Sequence, residues 1–566
     1  MSSIPEVDLV VVGAGWHGLS VAKTYLEVHP NARLVIYEAA STIGGVWAKE
    51  RLYPELRTNN LIGMYEFSDF PMDPKLYGVK SGDHIPGDVV HQYLEDFAKH
   101  FGIFKCIKFA TRVESAERQE IGGWLLHMSG LDWEIHSKII ASHLVMATGL
   151  TSDPALPSFP GRGSFEPPLF HNIEMPNHTT LLDKATQVTI YGGTKSSWDM
   201  VYLFASKGIK VDWIIKKSGH GPGWLAPVYV TPIKAQLEKL LLTRFLTWFS
   251  PCIWGDADGF SIIRWFLHRT WLGNLLVAGF WAILKSDLEG LIKYDSHTET
   301  SKLKPWSDLS RVGAGLSILN YKMDIFELIR KGIVQVHVAD IETLDHNEIR
   351  LSTGSVLVTD ALISCTGWKH ASSVKFIPTG IDLGIPGSPD SLQLHEMTKH
   401  ADQEIFACFP RLNQQTKLES TSTSHKEADV AHEISAYRLY RFMVPPGGPR
   451  DIAFAGCMMT TATPVCADLQ ALWITAYFDD KIVIPTDVVY QTILHNRFGK
   501  WRSSAGFGNR FPDVAFDGLP FFDLLLSDLG LQSHRKKGII SEVFSNYSAE
   551  DYRGVVQEWM AKQAAE

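Results

Sequence analysis

Near its start the chain reads DLVVVGAGWHGLS from Asp8, a buried β-branched run that stops at a glycine and continues with helical spacing through Ala22 and Leu26. Gly13, Gly15 and Gly18 fall in the GxGxxG pattern, with Trp16 directly after the second glycine. The first glycine permits a tight turn, the second lets backbone approach a pyrophosphate, and the third lets the helix pack closely on the strand. The start of such a helix offers unpaired N–H groups and a positive dipole end to phosphates. A second strand, Leu34 to Tyr37, ends at Glu38, about twenty residues past the last glycine, where a ribose-binding carboxylate belongs. Strand, glycines, helix, strand and acid in this order predict a parallel α/β unit holding a dinucleotide. The alternative is a glycine turn in an ordinary strand–helix unit.

A weaker copy starts at Val188, where Gly192, Thr194 and Ser197 stand at the fingerprint positions and Lys195 and Ser196 are further phosphate-contact candidates. The next strand, Val211 to Ile215, ends at Lys216 and Lys217 instead of an acid. A cation there can pair with a 2′-phosphate, which favours NADPH over NADH; a solvated strand end is the alternative.

A chain of 566 residues exceeds what one core usually organises, so more than one domain is expected. Hydrophobic residues at 45% and charged residues at 20% describe a globular protein, and a net charge of −9 without a basic cluster argues against a nucleic-acid partner. The six cysteines show no CxxC or Cys/His spacing, so neither a zinc site nor a disulfide framework is expected. A reducing, cytoplasmic setting follows, and the polar start that leads straight into a strand argues against secretion.

After Glu38 come Gly44, Gly45, Val46 and Trp47, and this GGVW loop resembles the opening of flavin-containing and Baeyer–Villiger monooxygenases, where it lies over FAD. The resemblance extends with gaps over most of the chain and implies that the first nucleotide is FAD. The strands closing at Thr148-Gly149 and Thr366-Gly367 resemble the hinges of this family. They bracket the second unit, which implies two Rossmann-like domains with the NADPH domain inserted into the FAD domain: FAD-binding residues 1–172, NADPH-binding residues 173–368, and a returning FAD part with a C-terminal cap over 369–566. Between them, Phe165 and His171 match part of the family signature, while Pro167 and Met175 depart from it; His171 reads as a domain-linker residue more than a catalytic one. Gly456 lies in a segment similar to the one that returns to FAD, and the helix through Gln470 and Trp473 is expected to close the flavin pocket.

The resemblance of Phe67 to Pro71 to a flavin-containing monooxygenase segment places Asn59 at the family's active-site asparagine. An amide can hydrogen-bond the flavin peroxide or the nicotinamide ribose, yet it lacks the negative charge of the aspartate typical of type I Baeyer–Villiger enzymes. This tilts the expectation toward an N/S-oxygenase-like or type II site; a plain turn at Asn59 or Asn60 is the alternative.

Residues 237–291 are rich in Trp, Phe and Leu. The apolar run from Thr270 to Leu284 is shorter than the ~20 residues needed to span a bilayer. It can roof an apolar substrate tunnel, contact a membrane surface with Arg264, Arg269 and Lys285 flanking it, or pack as domain core. Gln414 to His425 reads as a polar loop, and residues beyond about Ile484 carry no motif. The resemblance therefore implies an FAD-dependent monooxygenase using NADPH and O₂ through a flavin C4a-peroxide on a small lipophilic molecule, such as a secondary-metabolite intermediate. Baeyer–Villiger ketone oxygenation, a pyridine-nucleotide reductase and a binding module without turnover stand as alternatives.

Overall fold

The computed structural model describes residues 4–130, 136–230, 234–389, 391–414, 437–503, 508 and 511–566. The polar run expected after Gln414 lies outside them.

Two sheets organise the chain. The first carries, in spatial order, Lys375–Ile377, Thr111–Arg118, Trp124–Gly130, His136–Met146, Glu6–Val12, Leu34–Tyr37 and Ile107–Lys108, with Ile452–Phe454 also paired to His136–Met146. Its central strand is flanked in parallel on both sides, Val12 lying opposite Tyr37 and Met146. Leu9, Val10 and Val11 are wholly buried, as a strand covered on both faces requires.

The second sheet is parallel throughout, in the order Val334–Val338, Lys210–Ile215, Gln187–Tyr191, Leu362–Ser364 and Leu169–His171. Every strand of it lies between residues 169 and 364, inside the interval that separates the two contributions to the first sheet. Leu169–His171 pairs within this second sheet, just upstream of the position where the sequence suggested the change of domain. His171 is buried there, its ring edge-on to Trp368 at 4.9 Å.

The two crossings lie against each other. Ala155 N–H donates to the Gly367 carbonyl at 3.0 Å, Lys369 N–H to the Asp153 carbonyl at 2.8 Å, and the Thr366 hydroxyl to the Ala155 carbonyl at 2.6 Å. Gly149 and Gly367 both take positive φ, 68° and 81°, so each crossing turns at a residue that tolerates the left-handed region.

Behind the first sheet, helix Trp16–Val28 packs on Thr463–Phe478, a helix buried from Pro464 to Phe478 except at Asp468. Ser20 donates to Asp468 at 2.7 Å, and Ser68 N–H to the same carboxylate at 2.8 Å. The residues beyond Ile484 include helices Val488–Arg502, Gly518–Asp528, Ile539–Phe544 and Val555–Ala565; the apolar faces of the first, second and fourth belong to this same core, while Ile539, Ile540 and Phe544 are exposed.

The aromatic-rich stretch forms helices Leu237–Leu241, Arg244–Thr247, Ser261–Arg269 and Trp271–Ile292. The last has 22 residues, longer than the apolar run alone suggested. Gly273, Val277, Trp281, Leu284, Leu288 and Ile292 form its buried stripe, at the three- and four-residue spacing of one helix face. Arg244 is fully buried and ion-paired to Asp523 and Glu542, which ties this region to the C-terminal helices. Arg264 does not flank a membrane face as the sequence allowed: it is 6% exposed, paired with Asp258 and bonded to the Thr247 carbonyl at 2.8 Å. Among the described residues, no helix is long and apolar enough to cross a membrane.

Candidate active site

A cleft of about 740 Å³ runs along the ends of the central strands of the first sheet, within the ~300–1,000 Å³ usual for cofactor sites. It is lined by Gly13, Gly15, Trp16, Glu38, Gly45, Val46, Trp47, Asn59, Thr148, Lys195 and Gly456, all candidates from sequence.

The turn is built as the glycine pattern demands. Gly13 has φ +109°, and a Cβ there would stand 2.5 Å from the Ala147 carbonyl oxygen. A Cβ on Gly18 would meet the Gly13 carbonyl oxygen at 1.9 Å, so this glycine serves helix packing and does not line the cleft. Gly15 caps helix Trp16–Val28 without any side-chain hydrogen bond, and its nearest neighbour is Gly45, whose own φ is +60°. Two side-chain-free backbones thus face each other at the helix start, and a phosphate can reach the free N–H groups there. Glu38 accepts from Ala14 N–H and Ala40 N–H, each at 2.8 Å. Burial lifts its carboxyl above the usual range, and the two backbone donors pull the other way.

Trp16 is 5% exposed and packs on Tyr65, Phe67 and Tyr93, while Trp47 donates to the Tyr65 hydroxyl at 3.2 Å. Gly456, at φ +75°, lies so close to His17 that a Cβ would stand 2.6 Å from its Nδ1. His17 was not singled out from sequence. It lines the cleft, its Nε2 is buried without a partner among the described residues, and burial pulls its pKa down to about 4. Gln470 and Trp473 do not line the cleft: Gln470 accepts from Gly456 N–H at 3.0 Å, and Trp473 donates to Asp528 at 2.9 Å. The returning segment contributes Met458, Met459, Thr460 and Thr463 instead.

Asn59 lies on strand Arg57–Leu61, and its Oδ1 is buried with no hydrogen-bond partner among the described residues. Asn320 donates to the carbonyls of Arg57 and Thr58, both at 3.1 Å, and accepts from Lys195 Nζ at 3.0 Å. Lys195 also pairs with Asp199, so the second fingerprint reaches the wall of the first cleft through a committed ammonium. Asn320 carries no local sequence signal.

The second unit repeats the first in register. Gly13 N–H donates to Tyr37 O at 2.8 Å, and Gly192 N–H donates to Ile214 O at 3.0 Å. The residue matching Glu38 is therefore Ile215, and Lys216 stands one place further on; both Lys216 and Lys217 are exposed. A Cβ on Gly192, at φ +140°, would clash with the Cys365 carbonyl as one on Gly13 would with that of Ala147. Thr194 caps helix Lys195–Ala205, Ser196 is half-buried at its start, and Ser197 is fully buried at the close-packing position of Gly18. Gly193, overlooked in the sequence, is held by Gly223 N–H at 2.7 Å from its carbonyl.

Comparison with known proteins agrees with this geometry. Residues 7–250 match the flavin-binding monooxygenase-like family model. The FAD-dependent monooxygenase rstn6 of Aspergillus nomiae is 33% identical, covering 98% of each chain. The chain belongs to the FAD-dependent monooxygenases. Another member of this family, the FAD-dependent monooxygenase resA of Aspergillus sclerotiorum, is 32% identical over 99% of both chains. In fold the monooxygenase is similar to a cyclohexanone monooxygenase from Rhodococcus bound to NADP⁺, with a TM-score of 0.60 at 17% identity, covering 93% of this chain and 98% of that one. The family uses O₂ and a small organic substrate, and the paired backbones at Gly15 and Gly45, the anchored Glu38 and the partnerless Asn59 Oδ1 form a cradle that fits FAD.

Proposed function

We propose that this monooxygenase takes hydride from NADPH and places one oxygen atom of O₂ on a small lipophilic molecule, a secondary-metabolite intermediate by kinship with its fungal relatives. The balance is substrate, NADPH, H⁺ and O₂ giving oxygenated substrate, NADP⁺ and water. FAD, when bound, supplies the oxygen activation through a C4a-peroxide. Gly13, Gly15, Gly18 and Glu38 shape its nucleotide end, Gly45, Val46 and Trp47 cover it, and Thr148 and Gly456 line its far side. Asn59 offers an amide to the reacting region, and the Trp47–Tyr65 and Met458–Met459 walls exclude water.

The observation that carries the NADPH part is the register of the second unit. Where a carboxylate would take a ribose diol stands apolar Ile215, with exposed Lys216 and Lys217 next to it. Gly192, Thr194, Lys195, Ser196 and Ser197 form the accompanying turn. Baeyer–Villiger oxygenation is the second reading, favoured by the likeness in fold to cyclohexanone monooxygenase. The test is anaerobic reduction followed by O₂. Bleaching of bound flavin by NADPH ahead of NADH, then a transient with C4a-adduct absorbance, supports the reading; bleaching with no adduct supports a reductase instead.

The surface of the insertion supports peripheral attachment to a membrane. Trp265, Trp271, Leu275, Leu276 and Ile283 are between 48% and 80% exposed on helices Ser261–Arg269 and Trp271–Ile292. No acidic residue occurs between Asp258 and Asp287, although the chain carries net charge −9, and exposed Arg269 and Lys285 complete the patch.

A further inference from the structure

Asn59 is a residue on a strand held from both sides by distant parts of the chain. At one end Asn320 grips the carbonyls of Arg57 and Thr58. At the other, Leu61 N–H donates to Glu238 Oε2 at 2.9 Å, and Asn60 Nδ2 donates both to Glu238 Oε1 and to the Thr461 carbonyl, the latter at 2.9 Å. Glu238 opens the first helix of the insertion, is 7% exposed, and does not line the cleft.

From this clamp we infer that Glu238 is a positioning residue, which in its ionised form fixes the Asn59 strand against the flavin cleft and ties its geometry to the seating of the inserted helices. The inference rests on the reading of Asn59 as an active-site amide. Both carboxylate oxygens accept an N–H, and protonation removes the charge that strengthens both bonds and leaves one oxygen a poorer acceptor. An amide fails because its NH₂ would face either Leu61 N–H or Asn60 Nδ2. Asn60 cannot flip to compensate, because its Nδ2 is needed by the Thr461 carbonyl.

Burial opposes the ionised form and pushes the Glu238 carboxyl up to about 7, so the hold on the strand is expected to weaken as pH falls through neutrality. The titratable groups around it are Lys239 on its own helix, Tyr65 beyond the strand, and His84 on the paired strand opposite Leu61. Burial raises Tyr65 to about 12 and lowers His84 below its ordinary value. Lys239 is exposed. Asp517 is pushed up to about 7 as well, away from this strand, so a step near pH 7 belongs to Glu238 when Glu238→Gln abolishes it.

The test compares wild type with Glu238→Gln in the FAD-loaded protein, following NADPH oxidation to H₂O₂ between pH 6 and 8.5. In wild type the uncoupled rate rises about five-fold as pH falls through the step, the factor expected when one net hydrogen bond is lost. Glu238→Gln shows the high rate at every pH. Superimposable profiles for the two proteins overturn the inference. The flavin-free proteins supply a second readout: the difference in Tm between them changes with pH around 7, and a constant difference also counts against it. Should Glu238→Gln not fold, Asn60→Ala decides, because removing one donor moves the wild-type step to higher pH; an unmoved step refutes the clamp. Protein that takes up no flavin defeats the functional reading, while the Tm comparison still tests the titration of Glu238.

Discussion

The carboxylate of Glu38 accepts the N–H of Ala14 at 2.8 Å, so the acid that ends the second strand holds the very turn that faces the phosphates. Its other oxygen takes the Ala40 N–H, also at 2.8 Å. Glu38→Gln replaces one acceptor by a donor and loses a charge-assisted bond in a site that is 9% exposed. Such a bond is worth roughly 1.5–3 kcal/mol, which corresponds to a loss of about ten- to a hundred-fold in FAD affinity. Equilibrium titration of apoprotein with FAD measures this, and unchanged affinity shows that the turn does not depend on the acid.

Lys216 and Lys217 are exposed at the same sheet edge as the Gly192 turn, and neither has a carboxylate partner among the described residues. Replacing both by alanine is expected to raise KM for NADPH about ten-fold and to leave KM for NADH within a factor of two, since only NADPH presents the 2′-phosphate. Equal effects on the two cofactors place the lysines away from that phosphate.

How much of this was legible in the sequence depends on distance along the chain. Gly13, Gly15, Gly18 and Glu38 form a local pattern whose spacing is set by one strand–helix–strand unit, and the cleft lies where that pattern puts it. The second unit was legible in kind but shifted in detail. The pairing of Gly192 with Ile214 makes Ile215, not Lys216, the counterpart of Glu38, and a register is decided by partner strands that no single segment reveals. Ser197 stands at the third fingerprint position, and its helix buries it there against Gly192, as the close-packing position of Gly18 requires. Glu238 and Asn320 left no trace, because each meets the Asn59 strand from more than 170 residues away. Arg264 was misplaced for a related reason: a cation in an apolar stretch looks solvated until its buried partner, Asp258, is seen.

Three histidines, His268 buried and His17 and His495 half-buried, are expected to contribute to acid sensitivity of the fold. Burial pulls His17 and His268 down to about 4 and His495 to about 3, against an ordinary value of 6.5. The folded values are depressed, so the unfolded chain binds these protons first, and stability present above pH 6.5 is lost as pH falls from there toward 4. Each group accounts for roughly 3 kcal/mol at the end of that window. Tm is expected to drop steeply between pH 6.5 and 4.5, and His268→Gln to make the drop shallower. A flat Tm through this range contradicts the buried, neutral assignment.

The exposed apolar face of the insertion predicts binding to vesicles. Sedimentation with vesicles containing anionic lipid should carry down the wild-type protein, more so at low salt because Arg269 and Lys285 contribute. Trp265→Ser together with Trp271→Ser removes the two exposed indoles and should weaken binding about ten-fold or more, given roughly 1.5–3 kcal/mol for burying a large apolar side chain. Equal sedimentation of both proteins assigns this face to another partner.

Asn59 carries the sharpest chemical prediction. Its Oδ1 is buried on the wall of the cleft without a partner among the described residues, while the strand around it is fixed by Asn320, Glu238 and Thr461. Asn59→Asp keeps the size of the side chain and puts a carboxylate at a buried position where no described residue donates to the present Oδ1, so the new acid is expected to titrate above its usual range and, once ionised, to repel negative charge developing on oxygen nearby. The oxygenating form of the enzyme then decays sooner, and H₂O₂ released per NADPH oxidised rises. An effect of about ten-fold corresponds to ~1.4 kcal/mol, modest for a charge placed beside a reacting centre. The increase should grow with pH, because the ionised form causes it, which separates it from the Glu238 step that grows as pH falls. A coupling ratio in Asn59→Asp equal to wild type at all pH values would remove this amide from the chemistry.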